Sequence, residues 1–248
     1  MRRAPIAGHK LKKMANKSHL KAPGRSSGKT PRLKVAPTDK PRASASGNGE
    51  ALASRSAAVE RKTRETEVKV ALNLDGGGRG AVATGVPFLD HMLESFARHG
   101  FFDLVIQASG DLHIDEHHTV EDVGIVLGRA FRQALGDRAG IRRFGEAMVP
   151  LDEALCSAVV DISGRSYLAY NVPIAQERVG TFQTELVHDF MKAFSDEVGM
   201  NLHLNLVGGR NPHHVIEAAF KALARAMDQA TAREPRSSGV LSTKGTLS

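Results

Sequence analysis

The sequence is poor in cysteine, has no long apolar run and, over its first 58 residues, is nearly devoid of acids. Cys156 is its only cysteine, so no internal disulfide can form and a structural thiolate zinc site lacks ligands. That residue lies in an alternating apolar run and reads as a small buried hydrophobe in a reducing compartment. No stretch approaches the roughly 18 consecutive apolar residues of a membrane span, and the N-terminus lacks the apolar core of a secretory signal. These absences predict a soluble cytoplasmic protein with no membrane partner.

The scarcity of acids explains the net charge. Residues 1–58 hold 14 Lys/Arg against Asp39 and Glu50, whereas residues 59–248 hold 20 Lys/Arg and 25 Asp/Glu. The formal +7 therefore belongs to the tail. That tail is rich in Lys, Arg, Ala, Ser, Gly and Pro and shows no apolar periodicity, so it cannot bury enough surface to offset its ordering entropy. A disordered basic extension over 1–58 is expected, either solvated or added by an over-long start, with Met14 a later candidate. A polyanion-binding arm is the main rival, and an organelle-targeting peptide is a third reading. Nucleic acid is not expected as a partner of the folded part, residues 59–248.

From about Arg64 two segments follow the same order of elements, a first half over about 64–150 and a second over about 151–248. Val68, Val70, Leu72 and Leu74 alternate as a strand, Gly76–Gly78 supplies a turn, and Gly80–Val86 is expected to return as a hairpin partner. Leu89, Met92, Leu93, Phe96 and Ala97 recur at helical spacing behind Pro87, and Leu104, Ile106 and Ala108 resume a strand. Val123, Val126, Leu127, Ala130, Phe131 and Ala134 then share one helix face. The second half offers a hairpin of Leu155–Ser163 with Tyr167–Val172, a helix around Glu185–Val198, a strand at Leu202–Val207 and an Ala-rich helix from Pro212 to Ala232. The expected fold is α+β, two similar β-β-α-β-α halves with helices packed on sheets.

Both halves place His-His-x-x-Glu where the last helix begins: His117-His118-Thr119-Val120-Glu121 and His213-His214-Val215-Ile216-Glu217. One copy alone says little beyond a polar helix start, since acids are favoured there by the helix dipole. Duplication at matched positions points to a metal site. Residues four apart share a helix face while neighbours diverge by about 100°. His117 with Glu121, and His213 with Glu217, can thus each grip one ion, while His118 and His214 serve others. Each half has a further candidate about 25 residues upstream: His91 in the first and His188 or Asp189 in the second. Helical register favours Asp189, which precedes Phe194 by the five residues that separate His91 from Phe96. Imidazoles mixed with carboxylates suit Mn, Fe, Co, Ni or Zn.

At these residues the chain resembles the imidazoleglycerol-phosphate dehydratase family over about residues 60–248. The resemblance is carried by FLDHML at 88–93, DEHHTVEDVGI at 115–125, RFG at 143–145, PLDEAL at 150–155, DISGR at 161–165, NPHHVIEAAFKA at 211–222 and STKG at 242–245. It implies loss of water from D-erythro-imidazole-glycerol phosphate to give imidazole-acetol phosphate in histidine biosynthesis, two Mn2+ ions per site, and a large homo-oligomer of 24 copies with sites between subunits. It implies metal ligands at His91, His117, His118, Glu121, Asp189, His213, His214 and Glu217. At Asp189 the family generally has His or Glu, a departure that leaves a carboxylate and bears on the affinity or metal preference of one ion. It also implies acid/base catalysis at Glu65, assisted by Glu217. Substrate contacts fall on Glu65, His91, Arg98, His99, Arg143, Arg165, Lys221, Ser242, Thr243 and Lys244, the basic and hydroxyl groups suiting a phosphate. A generic divalent-metal hydrolase of a phosphorylated small molecule is the alternative, because similar ligands can activate water.

Overall fold

The protein is described as a computed structural model covering residues 55–247. The expectation of a disordered tail lies outside the described residues for 1–54. Its C-terminal boundary is corrected: β1 spans Ser56–Lys62 and pairs antiparallel along its whole length with β2, Thr66–Asn73. Ala57 points into the core, and Arg55 bonds Asp75 and the carbonyl of Thr231. The alternation in Ala57, Val59 and Arg61 is short and interleaved with charge, so the strand resembled its basic neighbourhood.

The first half continues with β3 (Gly80–Ala83), α1 (Pro87–Gly100), β4 (Asp103–Gly110) and α2 (His117–Leu135). The second half comprises β5 (Phe144–Leu151), β6 (Ala154–Asp161), β7 (Tyr167–Asn171), a small hairpin of β8 (Arg178–Val179) and β9 (Phe182–Gln183), α3 (Leu186–Val198), β10 (Asn201–Gly208) and α4 (Pro212–Thr231). Two four-stranded sheets result, ordered β1-β2-β4-β3 and β5-β6-β10-β7. The same order in both is the duplication expected from sequence, with one strand more per half.

Neither expected hairpin forms. β3 runs parallel to β4, and β7 parallel to β10, because a helix carries the chain across between each pair. In the first half the glycine turn wraps around Asp103 at the start of β4, whose carboxylate accepts from the backbone of Gly77 (3.0 Å) and Arg79 (3.1 Å) and pairs with the Arg79 guanidinium (2.7 Å). A Cβ at Gly76 would lie 2.3 Å from the Asp103 nitrogen, so this close approach requires glycine. In the second half the Gly164 nitrogen bonds the Gly199 carbonyl instead of folding β7 onto β6.

Helices α1 and α2 pack on the first sheet and α3 and α4 on the second, and the pairs meet across the middle as α2 on α3 and α1 on α4. Aromatic rings lock this junction: Phe131 lies 6.0 Å from Phe96, 5.0 Å from Phe102 and 5.4 Å from Phe194, and Phe190 lies 5.3 Å from Phe220. All are buried, each stabilising the fold by about 1.5–3 kcal/mol relative to exposure. The two halves therefore share one core, and the start of each helix is fixed relative to a helix from the other half. No helix among the described residues is long and apolar enough to cross a membrane.

Candidate active site

The two His-His-x-x-Glu segments begin α2 and α4, as their spacing predicts, and both helix starts are tied down by a residue two positions before the first histidine. The Asp115 carboxylate accepts from the His117 nitrogen (2.9 Å), and the Asn211 side chain accepts from the His213 nitrogen (3.0 Å). Such side-chain acceptors satisfy orphan helix-start donors.

Because α1 packs on α4, His91 meets the second motif. Its Nε2 lies 3.4 Å from Glu217 Oε2, and His213 Nε2 lies 3.1 Å from the same oxygen. Among the described residues, His91, His213 and Glu217 bring three donor atoms within 4.8 Å of one another. Lys221, one turn further along α4, pairs with Glu217 Oε1 at 2.8 Å. Burial opposes ionisation of Glu217, but Lys221, His91 and His213 together hold its carboxyl below the ordinary value. The Phe88 ring, packed on Phe182 of the β8–β9 hairpin, stands edge-on to His213 at 5.3 Å.

The α2–α3 contact builds the counterpart. His117 Nε2 lies 4.0 Å from Glu121 Oε2, and its Nδ1 lies 3.4 Å from Asp189 Oδ2. Between the two upstream candidates, geometry brings Asp189 beside His117. His188 touches the far oxygen of Asp189 (3.3 Å) and turns its ring edge-on to Tyr170. The approach of α2 to α3 runs over Gly124 and Gly128, where a Cβ would lie 2.9 Å from the Phe190 carbonyl and 2.8 Å from that of Phe194, respectively.

His118 and His214 turn away from these clusters, as neighbours on a helix must. The ring planes of His117 and His118 stand 74° apart and those of His213 and His214 82° apart. His118 meets Asp111 (3.0 Å) and His214 meets Glu153 (2.8 Å), and each carboxylate raises the pKa of its histidine. Glu153 itself is lowered to about 2, by His214 first and then by the Asn211 backbone. The sequence reading did not single out Asp111 or Glu153. Their place in the chain, seven residues before His118 and inside PLDEAL, was the available signal.

The remaining candidates fall in three places. Arg143, Arg165, Ser242, Thr243 and Lys244 line one cavity of about 600 Å³. Arg143 forks onto Asp161 (2.7 and 3.0 Å) and donates to the Leu241 carbonyl (2.6 Å), which seats the C-terminal segment. The lining of that cavity includes none of the clustered histidines. Arg98 and His99 end α1, where burial and then Lys221 lower the pKa of His99. Glu65 is exposed on the β1–β2 turn, its backbone nitrogen held by Thr63 Oγ1 (3.1 Å), and its charge helps raise the pKa of His118.

The donor chemistry fits a divalent transition ion. Ligand atoms around one ion at about 2.0–2.2 Å must converge to within roughly 4 Å of each other, and mixed imidazole and carboxylate donors suit borderline metals. His91, His213 and Glu217 are close to that arrangement with only side-chain adjustment.

Fold and site together define a class: an internally duplicated α+β protein in which each half lends a helix start to a histidine–carboxylate cluster completed by the other half. The family model described as imidazoleglycerol-phosphate dehydratase matches residues 84–227. The chain belongs to the imidazoleglycerol-phosphate dehydratase family. It is 58% identical over 193 residues to the imidazoleglycerol-phosphate dehydratase of Pelobacter propionicus, covering 78% of this chain and 99% of that one. It is 57% identical over 195 residues to that of Gluconobacter oxydans, covering 78% and 98%. The crystal structure of the Staphylococcus aureus imidazoleglycerol-phosphate dehydratase superposes with a TM-score of 0.65 at 38% identity, over 71% of this chain and 98% of that one. The Pyrococcus furiosus structure gives 0.67 at 37%, over 76% and 100%.

Proposed function

We infer that this chain dehydrates D-erythro-imidazole-glycerol phosphate to imidazole-acetol phosphate, a step of histidine biosynthesis. Membership of the dehydratase family carries this reading, and the paired clusters and the cationic cavity support it. The reaction removes the hydroxyl from the carbon beside the imidazole ring and a proton from the next carbon, which keeps its own hydroxyl, so that water leaves and the resulting enol becomes the ketone. Such a C–H bond is too weakly acidic for an ordinary side-chain base.

His91, His213 and Glu217 would hold one Mn2+ ion, and His117, Glu121 and Asp189 a second, with His118 and His214 completing the ligand sets. Bound there, the metal supplies Lewis-acid polarisation of the substrate's ring nitrogen. The chain's own residues supply the rest. Glu65 carries a proton between carbon and the departing hydroxyl, a task suited to an exposed carboxylate on a turn that can reach into a neighbouring site. Lys221 neutralises Glu217 and keeps it ionised. Arg165, Ser242, Thr243 and Lys244 receive the phosphate, with Arg143 seating their loop. Arg98 and His99 flank the imidazole-glycerol part.

The complete site lies between copies in a large homo-oligomer, 24 subunits by family resemblance. Two observations support this: the cationic cavity is lined by no cluster residue, and His118 and His214 face away from their own chain's clusters. Exposed Phe144, Met148, Val159 and Tyr167 on β5, β6 and β7 offer apolar surface for such contacts. The cytoplasm is the proposed compartment.

Full-length protein incubated with Mn2+ and the substrate should yield the ketone and no inorganic phosphate. Release of phosphate without ketone would establish the hydrolase reading instead.

A further inference from the structure

In each half the second histidine of the pair is gripped from outside its helix by a carboxylate that belongs to no cluster. Glu153, on the β5–β6 turn, places Oε2 2.8 Å from His214 Nδ1, while its Oε1 accepts from the backbone of Asn211 (2.8 Å) and Arg210 (3.2 Å) just ahead of α4. Asp111, just after β4, places Oδ2 3.0 Å from His118 Nδ1. Its other oxygen is buried without a hydrogen-bond partner among the described residues, so His118 is what offsets the desolvation of this carboxylate. The two acids come from different places in the two halves, yet both engage Nδ1.

A neutral imidazole has one N–H and one lone pair, and the bond made by one nitrogen decides what the other can do. A carboxylate only accepts, so it keeps the proton on Nδ1 and leaves the Nε2 lone pair free. It also fixes the ring plane and raises the basicity of the free nitrogen. In His214 that nitrogen is open: the nearest carboxylate oxygen, on exposed Asp152, lies 3.7 Å away, beyond hydrogen-bond reach.

We propose that Glu153 and Asp111 are positioning residues that preset His214 and His118 with Nε2 facing outward, ready to ligate a metal held by the cluster of a second copy of this chain. The assignment rests on the metal reading of the preceding section. Glu153 has a second effect, because one carboxylate both orients His214 and staples the turn before α4, so the aim of the ring is tied to the helix start.

The test is Mn2+ affinity of the chelator-stripped full-length protein, measured by equilibrium dialysis together with the melting temperature of the metal-free form. Glu153→Gln keeps the side chain's size, but its single amide oxygen cannot accept from both the Asn211 nitrogen and His214 Nδ1–H. Asp111→Ala removes the other acceptor. Each should raise the Mn2+ dissociation constant by about 10–100-fold with metal-free melting unchanged, the range seen when outer-shell partners of metal-bound histidine are lost. Unchanged affinity in both variants, or a loss that only tracks a fall in metal-free stability, would overturn the assignment. Wild-type protein with no Mn2+ affinity would overturn the metal reading itself, a result distinct from either. Should the alanine variant fail to fold, Glu153→Gln decides by itself.

Discussion

Replacing Gly128 with alanine sets helix propensity against packing at the contact that assembles the second cluster. In the interior of a helix, alanine is better than glycine by about 0.5–1 kcal/mol. Here the new Cβ would lie 2.6 Å from Glu197 Cβ, 2.8 Å from the Phe194 carbonyl and 3.2 Å from the Val198 nitrogen. Two of those atoms are backbone, so no change of rotamer relieves the overlap and α3 must move as a body. Overpacking of this kind costs about 1–3 kcal/mol. Packing should win, with a net loss of about 1–2 kcal/mol, which for a domain of this size lowers melting by roughly 2–8 °C. Moving α3 also carries Asp189 away from His117, now 3.4 Å apart, so Mn2+ should be lost from that cluster before the one at His91 and His213. The assay is thermal unfolding of metal-free protein at fixed concentration, with Mn2+ content measured after reloading. A variant that melts above wild type and reloads fully would refute the claim that the glycine seam sets this distance.

Glu65→Gln should retain fold and metal but abolish turnover, and wild-type turnover would remove Glu65 from proton transfer. His213→Ala should cost the compact cluster one of its three donors and deplete bound Mn2+, measurable by elemental analysis; full occupancy would contradict the ligand assignment. Arg165→Ala should raise KM for the phosphorylated substrate more than it weakens an imidazole inhibitor lacking phosphate, and equal effects would separate Arg165 from the phosphate. Cys156 is buried and burial pushes its thiol up to about 11, so iodoacetamide should not modify the native protein near neutral pH and should do so once it unfolds. Rapid native labelling would show that β6 opens readily.

Helices were the more legible elements. The apolar spacing behind Pro87 and Pro212 marked α1 and α4, and the repeat of His-His-x-x-Glu marked the duplication, because a helix's pattern is internal to its own segment. Strands read less well. β1 and β5 were missed, the first hidden beside a basic tail, and both expected hairpins gave way to parallel pairing across a helix. A run of alternating residues shows which face is buried but not which strand lies beside it.

The same division holds for the site. The sequence alone determined that His117 shares a face with Glu121, that His213 shares one with Glu217, and that each adjacent histidine points elsewhere, since helix geometry dictates those relations within five residues. Only the tertiary structure decided that His91 of the first half joins His213 of the second, that Asp189, already favoured over His188 by helical register, stands beside His117, and that Asp111 and Glu153 grip the outward rings. Those meetings depend on helices from opposite halves packing over a shared aromatic core, and contacts between residues far apart in the chain are set by the packing of whole elements, which no local spacing records.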